Sequence, residues 1–492
     1  MKTNRRDLLK GGTLALLGSG FLSRFDKVAA MQKTPTKPAA GKSGPMIDIL
    51  KSQATGVSEK MLLKPRTGED APPTPATYDR LPLEWHKDRV KLFFERAADQ
   101  DIQTFLVRNP LNTIYLTGYW HTTTERPEAT FMNKQDQAPW FLYPALDRDL
   151  VTTWWFGDGL MYFDFQDAEG AFPHLGIVQQ GRTVDLFRHM LKGIKKHGIQ
   201  GNKIGIDGEL VPSEAAKARE VLPGIQFVNV NDILIGMRMV KTPEELALWR
   251  RAYLYLDRCH AFARDYILTH GTDIMDYEVS VAASYWAEQQ LLSDINLHGG
   301  QPHFGVSTSC HVGCRVGQLC GYPHPNQPRF NRIQRGMSLQ IDGGAKIGGC
   351  GGENYRMFVI ADQAGKYNPH HVKLWEVSQH SCDMQVEMQK EGVVCSNIAY
   401  AIHKYQVEQG VQKYVYHRPA HGAGWEGHQL PELSLGDYTM LQKGMCFSEE
   451  PGLFDPETGC GFNWSDTVVT GVKSGYRMSM VPYSKEYLFI KL

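Results

Sequence analysis

Neither sign of charge dominates this chain: Lys plus Arg and Asp plus Glu number 53 each. That balance gives no electrostatic reason to expect nucleic acid or an anionic membrane as a partner, and no long basic run or zinc-finger pattern supplies another. No Gly-x-Gly-x-x-Gly follows a strand-like segment and no P-loop is present, so nucleotide binding has no support. Apolar runs are short. The glycine-containing stretch Gly11 to Leu22 falls well under the roughly 20 residues of a permanent span. Cysteines number 9, an odd count, and Cys310-x3-Cys314 has neither zinc-ribbon spacing nor a matching second pair. Buried thiols, or one or two disulfides, account for them. No internal repeat is evident.

What is present is an ordinary globular composition, 42% hydrophobic and 22% charged, in a chain of 492 residues, enough for two or three domains. At the N-terminus, Arg5-Arg6 precede the apolar stretch, and Val28-Ala29-Ala30 offers small residues suited to signal-peptidase cleavage. Residues 1–30 therefore resemble a twin-arginine signal, which sends folded proteins to the periplasm or outside the cell. Residues 31–78, rich in Pro, Lys, Thr and Gly, read as a linker or surface-wrapping arm. From 79 to 235 strand and helix patterns alternate, as in an α/β domain. Strands are expected at Thr104–Val107, Thr113–Leu116, Trp140–Tyr143 and Lys203–Ile206, and helices at Thr183–Lys196 and Ser213–Val221.

A second domain, 236–492, opens with a strong helix signal. Thr242-Pro243-Glu244-Glu245 combines an N-cap hydroxyl, proline at the first helical position and acids in the first turn, and His270-Gly271 closes the run. Further helices are expected at Tyr277–Leu291 and Val372–Glu391. The remainder alternates strand-like runs with glycine-rich turns.

Those runs carry acids and histidines in a recurring setting. Asp342 precedes Gly343-Gly344; Glu353 follows eleven residues on; His421 opens His-Gly-Ala-Gly; His428 lies seven residues later; Glu450 precedes Pro451-Gly452; Ser465-Asp466 precede Thr467-Val468-Val469. Carboxylates with a neutral imidazole suit divalent ions such as Mn, Fe, Zn or Co, and flanking glycines let backbone and ligand approach closely. Singly each is weak, because Asp before Gly-Gly is commonly a turn and a lone His commonly structural.

Their order, with Arg238-Met239-Val240-Lys241-Thr242-Pro243-Glu244-Glu245 and Thr113-Ile114-Tyr115-Leu116-Thr117-Gly118-Tyr119, resembles the creatinase/aminopeptidase P superfamily, peptidase family M24. The resemblance implies a creatinase-like amino-terminal α/β domain and an α+β pita-bread catalytic domain. It also implies a homodimer and Xaa-Pro aminopeptidase or dipeptidase chemistry on a small peptide. By the same resemblance Asp342, Glu353, His421 and Glu450 are metal ligands, with Glu450 also the base. His324 and His428 are implied to bind substrate and transfer protons.

Two positions depart from the family pattern. Glu353 stands where the second Asp is expected, extending the carboxylate by roughly 1.5 Å, and Ser465 stands where a bridging Glu is expected. Asp466 as a substitute ligand would need a bulge, since neighbouring strand residues face opposite ways. One ion is therefore expected rather than two, or none. The alternatives are a metal-independent creatinase-like C–N hydrolase or lyase acting on a small molecule, and a non-catalytic binding protein on the same scaffold. His303, His311 and His417 lie near the motifs with structural roles equally open.

Overall fold

The computed structural model describes residues 55–120, 124–163, 184–295, 308–324 and 330–492. The expected signal segment 1–30, the first part of the arm and His303 lie outside them.

The amino-terminal part is built on a six-stranded sheet. Its strands are β1 (Thr104–Val107), β2 (Ala129–Asn133), β3 (Trp140–Pro144), β4 (Asp158–Tyr162), β5 (Lys203–Ile206) and β6 (Gln226–Asn229), in the order β4-β3-β2-β1-β5-β6. Pairing is antiparallel on both sides of β2 and parallel elsewhere. Phe131, Trp140, Leu191, Ile194 and Ile204 form its core.

One expectation fails here. Thr113–Leu116 is not a strand but part of a helix, Pro110–Thr117. The β-branched and aromatic side chains suggested a strand, yet the chain ends decide otherwise. Asn109 caps Leu111 N–H at 2.9 Å, Pro110 occupies the first turn, and Gly118 at φ 74° closes it. His86 packs so close to Gly118 that a Cβ there would meet it at 2.5 Å.

The helix expected from Thr242 is Pro243–His270, with the full capping box between Thr242 and Glu245. With Asp276–Asp294 it packs on a sheet formed by β7 (Ser309–Val316), β8 (Ser338–Ile347) and β9 (Cys350–Ile360). Asp342-Gly343-Gly344 therefore lies inside a strand, not at a turn. Glycine is needed there because a Cβ on Gly343 would sit 2.2 Å from the His311 carbonyl oxygen.

A second sheet, order β11-β10-β12-β15-β16, comprises β10 (Ala420–Gly422), β11 (Gln429–Leu433), β12 (Cys446–Glu449), β15 (Thr467–Val469) and β16 (Tyr476–Arg477). A ribbon of β13 (Leu453–Asp455) and β14 (Cys460–Phe462) interrupts it, and β17 (Phe489–Ile490) adds to β9. The helix expected at Val372–Glu391 spans Pro369–Met388, and a further helix, Cys395–Glu408, packs Ile398 and Ile402 on the core of the second sheet.

The two sheets meet at a backbone junction. Tyr355 N–H donates to the Ser465 carbonyl at 2.9 Å, joining β9 to the residues before β15. The architecture is an α/β amino-terminal domain followed by an α+β pita-bread domain. The arm crosses its surface: Ser58 bonds Asp265, and Asp70 accepts from Val472, Lys473 and Ser474 N–H. All 9 cysteines are buried free thiols, so no disulfide forms.

Candidate metal centre

The junction between the sheets collects the functional side chains. Glu353 on β9, His421 on β10 and Glu450 just past β12 place one donor atom each within 4.8 Å of one another. His421 Nε2 lies 3.4 Å from Glu353 Oε1 and 3.5 Å from Glu450 Oε2, and its side chain is 2% exposed.

Its tautomer follows from the backbone. Nδ1 faces the Gly422 carbonyl at 3.1 Å and donates to it, which leaves Nε2 turned toward the two carboxylates. That nitrogen is buried, and the two carboxylates are the groups it faces. Two carboxylates and one open imidazole nitrogen suit a single divalent ion.

Glu353 is held from both sides: Ser448 Oγ donates to Oε1 and Tyr355 OH to Oε2, each at 2.6 Å. Ser448 Oγ is also 2.7 Å from Ser465 Oγ. Ser465 thus faces the centre, but it offers a hydroxyl where a bridging carboxylate would serve two ions. Burial works to raise the Glu353 pKa, yet His421 and the two hydroxyl donors outweigh it and hold the carboxyl down. Burial, reinforced by the Glu353 charge, pushes Glu450 up. His421 resists burial through the same two carboxylates and is raised.

Asp342 does not join the three donors. Its Oδ2 is paired with Arg315 Nε at 3.1 Å and accepts from Gln340 Nε2 at 3.1 Å. Asp466 is turned away from the centre: fully buried, it pairs with Arg356 Nη2 at 3.0 Å and accepts from Ser479 N–H. No bulge brings it round, so strand alternation keeps it on the face opposite Ser465.

His428 stacks on His421 with ring centroids 3.7 Å apart and planes at 11°, its Nδ1 facing Arg418 Nη2 at 3.3 Å. His324 is exposed, in a turn within electrostatic reach of His417, and is not among the three clustered donors. His417 turns its Nδ1 to the Arg418 carbonyl, while exposed His311 lines a neighbouring cavity of about 410 Å³ with Asp342, Glu353 and Tyr355.

Four contributors were missed from sequence. Tyr355 and Ser448 stand two residues from Glu353 and Glu450, so the two-residue period of a strand was the available signal. Arg315 and Gln340 had none, because their roles depend on how β7 and β8 pair.

Two family models match the chain: Creatinase/Prolidase N-terminal domain over residues 89–240, and Metallopeptidase family M24 over residues 250–471. The chain is 24% identical over 352 residues to the Xaa-Pro dipeptidase of Lactobacillus helveticus, covering 71% of this chain and 85% of that protein. It is 25% identical over 304 residues to the Xaa-Pro dipeptidase of Pyrococcus horikoshii, covering 61% and 78%. Among solved structures, the prolidase from Thermococcus sibiricus superposes with TM-score 0.64 at 20% identity, covering 82% of this chain and 99% of that one. The Xaa-Pro dipeptidase from Bacillus anthracis does so with TM-score 0.63 at 18% identity, covering 83% and 100%. The chain belongs to the creatinase/aminopeptidase P superfamily, as a peptidase-like hydrolase of metallopeptidase family M24.

Proposed function

We propose that this protein is an exported hydrolase of the Xaa-Pro dipeptidase or aminopeptidase kind, working with one divalent ion held by Glu353, His421 and Glu450. The observation that carries this reading is the convergence of those three donor atoms within 4.8 Å. A divalent ion bound there would supply Lewis acidity toward a scissile carbonyl. Tyr355 and Ser448 hold Glu353 in one orientation, and the Gly422 carbonyl holds the His421 tautomer. Glu450 is the proton acceptor for the attacking water. His428, stacked on His421, and His324 serve the substrate carbonyl and proton transfer. A cavity of about 410 Å³ is of a size for a small peptide.

The test is hydrolysis of Gly-Pro and longer Xaa-Pro peptides by protein loaded with Mn²⁺. Glu450→Gln should lower kcat at least a thousandfold, on the order expected for loss of a group acting in the transition state. Peptide turnover that survives both a chelator and this substitution would sink the proposal.

The Arg315–Asp342 pair favours one other reading, a metal-independent C–N hydrolase or lyase acting on a small nitrogen-containing substrate. Chelator-insensitive turnover of a guanidino or cyclic amidine compound would select it. Export is checked by replacing Arg5-Arg6 with lysines and following accumulation in the cytoplasm. The homodimer of the proposal is checked by light scattering.

A further inference from the structure

We propose that the Arg315 guanidinium takes the place of a second metal ion and thereby limits the centre to one divalent ion per chain. The inference rests on the one-ion reading of the site given above.

The placement follows from strand register. Across β7 and β8, Arg315 pairs with Gln340 and Gly313 with Asp342. Side chains on one face alternate, so Arg315 and Gly313 share the face of Gln340 and Asp342, which is the face of the centre. Gly313 places no side chain opposite Asp342. The guanidinium of Arg315 therefore leans along the diagonal and reaches the carboxylate, Nε to Oδ2 at 3.1 Å. It is fixed there rather than swinging: Nη1 donates to the carbonyls of Tyr322 and Pro323 at 3.1 and 3.2 Å, and the side chain is 5% exposed. Gln340 Nε2 adds a donor to the same Asp342 oxygen. That carboxylate is thus engaged by a permanent cation and an amide.

Charge balance points the same way. Asp342, Glu353 and Glu450 carry three negative charges when ionised. One divalent ion together with one guanidinium cancels them. Two divalent ions beside Arg315 would leave an excess of two positive charges in a half-buried site, an unfavourable state at short range and low dielectric. Ser465 fits the same scheme, since a centre with one ion has no use for a bridging carboxylate at that position. Arg315 acts through Asp342 and the turn carrying His324, so it is a positioning residue.

The experiment counts metal rather than turnover. Full chain is titrated with Mn²⁺ by calorimetry, then desalted and its bound manganese measured by mass spectrometry. Wild type should hold one ion per chain. Ser465→Glu alone should still hold one, because Arg315 and Gln340 still engage the Asp342 carboxylate that a second ion would need. Arg315→Met combined with Ser465→Glu should hold two, with four carboxylates now facing two ions. Arg315→Lys combined with Ser465→Glu should return to one, since the cation is restored. Two ions in wild type or in Ser465→Glu would overturn the inference while leaving the metal reading intact. One ion in a folded Arg315→Met, Ser465→Glu protein would overturn it too. No bound ion in wild type would remove the metal reading and this inference together. The Ser465→Glu arm keeps Arg315 in place and decides the matter even if its replacement by methionine prevents folding.

Discussion

Arg356 shows how a single buried residue can set the geometry of a site it does not enter. Fully buried, it donates to the carbonyls of Tyr355 and Ser465 at 2.9 and 3.0 Å and pairs with Asp466 at 3.0 Å. It thus clamps the two backbones whose junction brings the sheets together. Replacing Asp466 by Ala leaves that guanidinium buried without its counter-charge, and should cost about 3–5 kcal/mol of stability, read from urea unfolding. A change under about 1 kcal/mol would mean the pair is not isolated from water. Tyr355→Phe is a milder test. It removes one 2.6 Å hydrogen bond to Glu353 and should weaken Mn²⁺ affinity by about 10–100-fold without unfolding the chain. At this scale the sequence was informative about identity and silent about partnership. Glu353, His421 and Glu450 were legible from motif order, whereas the partner of Asp342 depended on a register that no local pattern encodes.

Elements respond to their ends and to their buried polar groups. The capping box of helix Pro243–His270 was readable in Thr242 and Glu245 because both residues lie within one turn. The helix Pro110–Thr117 carries strand-like residues in its interior, so its helical signal lies only in the Asn109-Pro110 start and the Gly118 stop. Thr242→Ala should cost about 1 kcal/mol, measured as a shift in the denaturant midpoint at unchanged slope.

Two helices also carry buried neutral histidines. Burial depresses His86 and His260 to about 3 from the ordinary 6.5, while each meets a carbonyl, of Tyr115 and Asn354 respectively. The folded values lie below the unfolded one, so unfolding takes up protons when the medium is acidic. The stability these residues contribute is fully present above about pH 6.5 and is lost as pH falls from there toward 3, the window between the two values. The loss runs at up to about 1.4 kcal/mol per pH unit for each histidine. Urea midpoints at pH 7.5, 5.5 and 4.5 should fall steadily, and His86→Gln should flatten part of the slope. A midpoint unchanged between pH 7.5 and 5 would contradict it.

At the scale of the whole molecule, the candidate centre exists only where two sheets touch, so ligand binding and folding are coupled. An ion that binds the native centre and not the unfolded chain stabilises by about 2.7 kcal/mol at a hundred times its Kd. Mn²⁺ should therefore raise the Tm of wild type by a few degrees and leave Glu450→Gln unchanged. An equal rise in both would place the binding elsewhere. The arm's contacts with Asp265 and with the 472–474 turn tie distant parts of the chain together, a role visible in its composition only as an absence of packed structure.

What the sequence determined by itself was local or ordered along the chain: the α/β alternation of the first half, the capped long helix, and the succession Asp342, Glu353, His421, Glu450, whose roles, like the place of Ser465, came only from the family resemblance. These depend on period, caps and motif order, which are properties of neighbouring residues. Only the tertiary structure decided that Asp342 faces Arg315, that Asp466 faces Arg356, and that three donors rather than four converge. Those outcomes depend on which strand lies beside which and in what register. Residues far apart in the chain settle that together, by how their side chains fill one space.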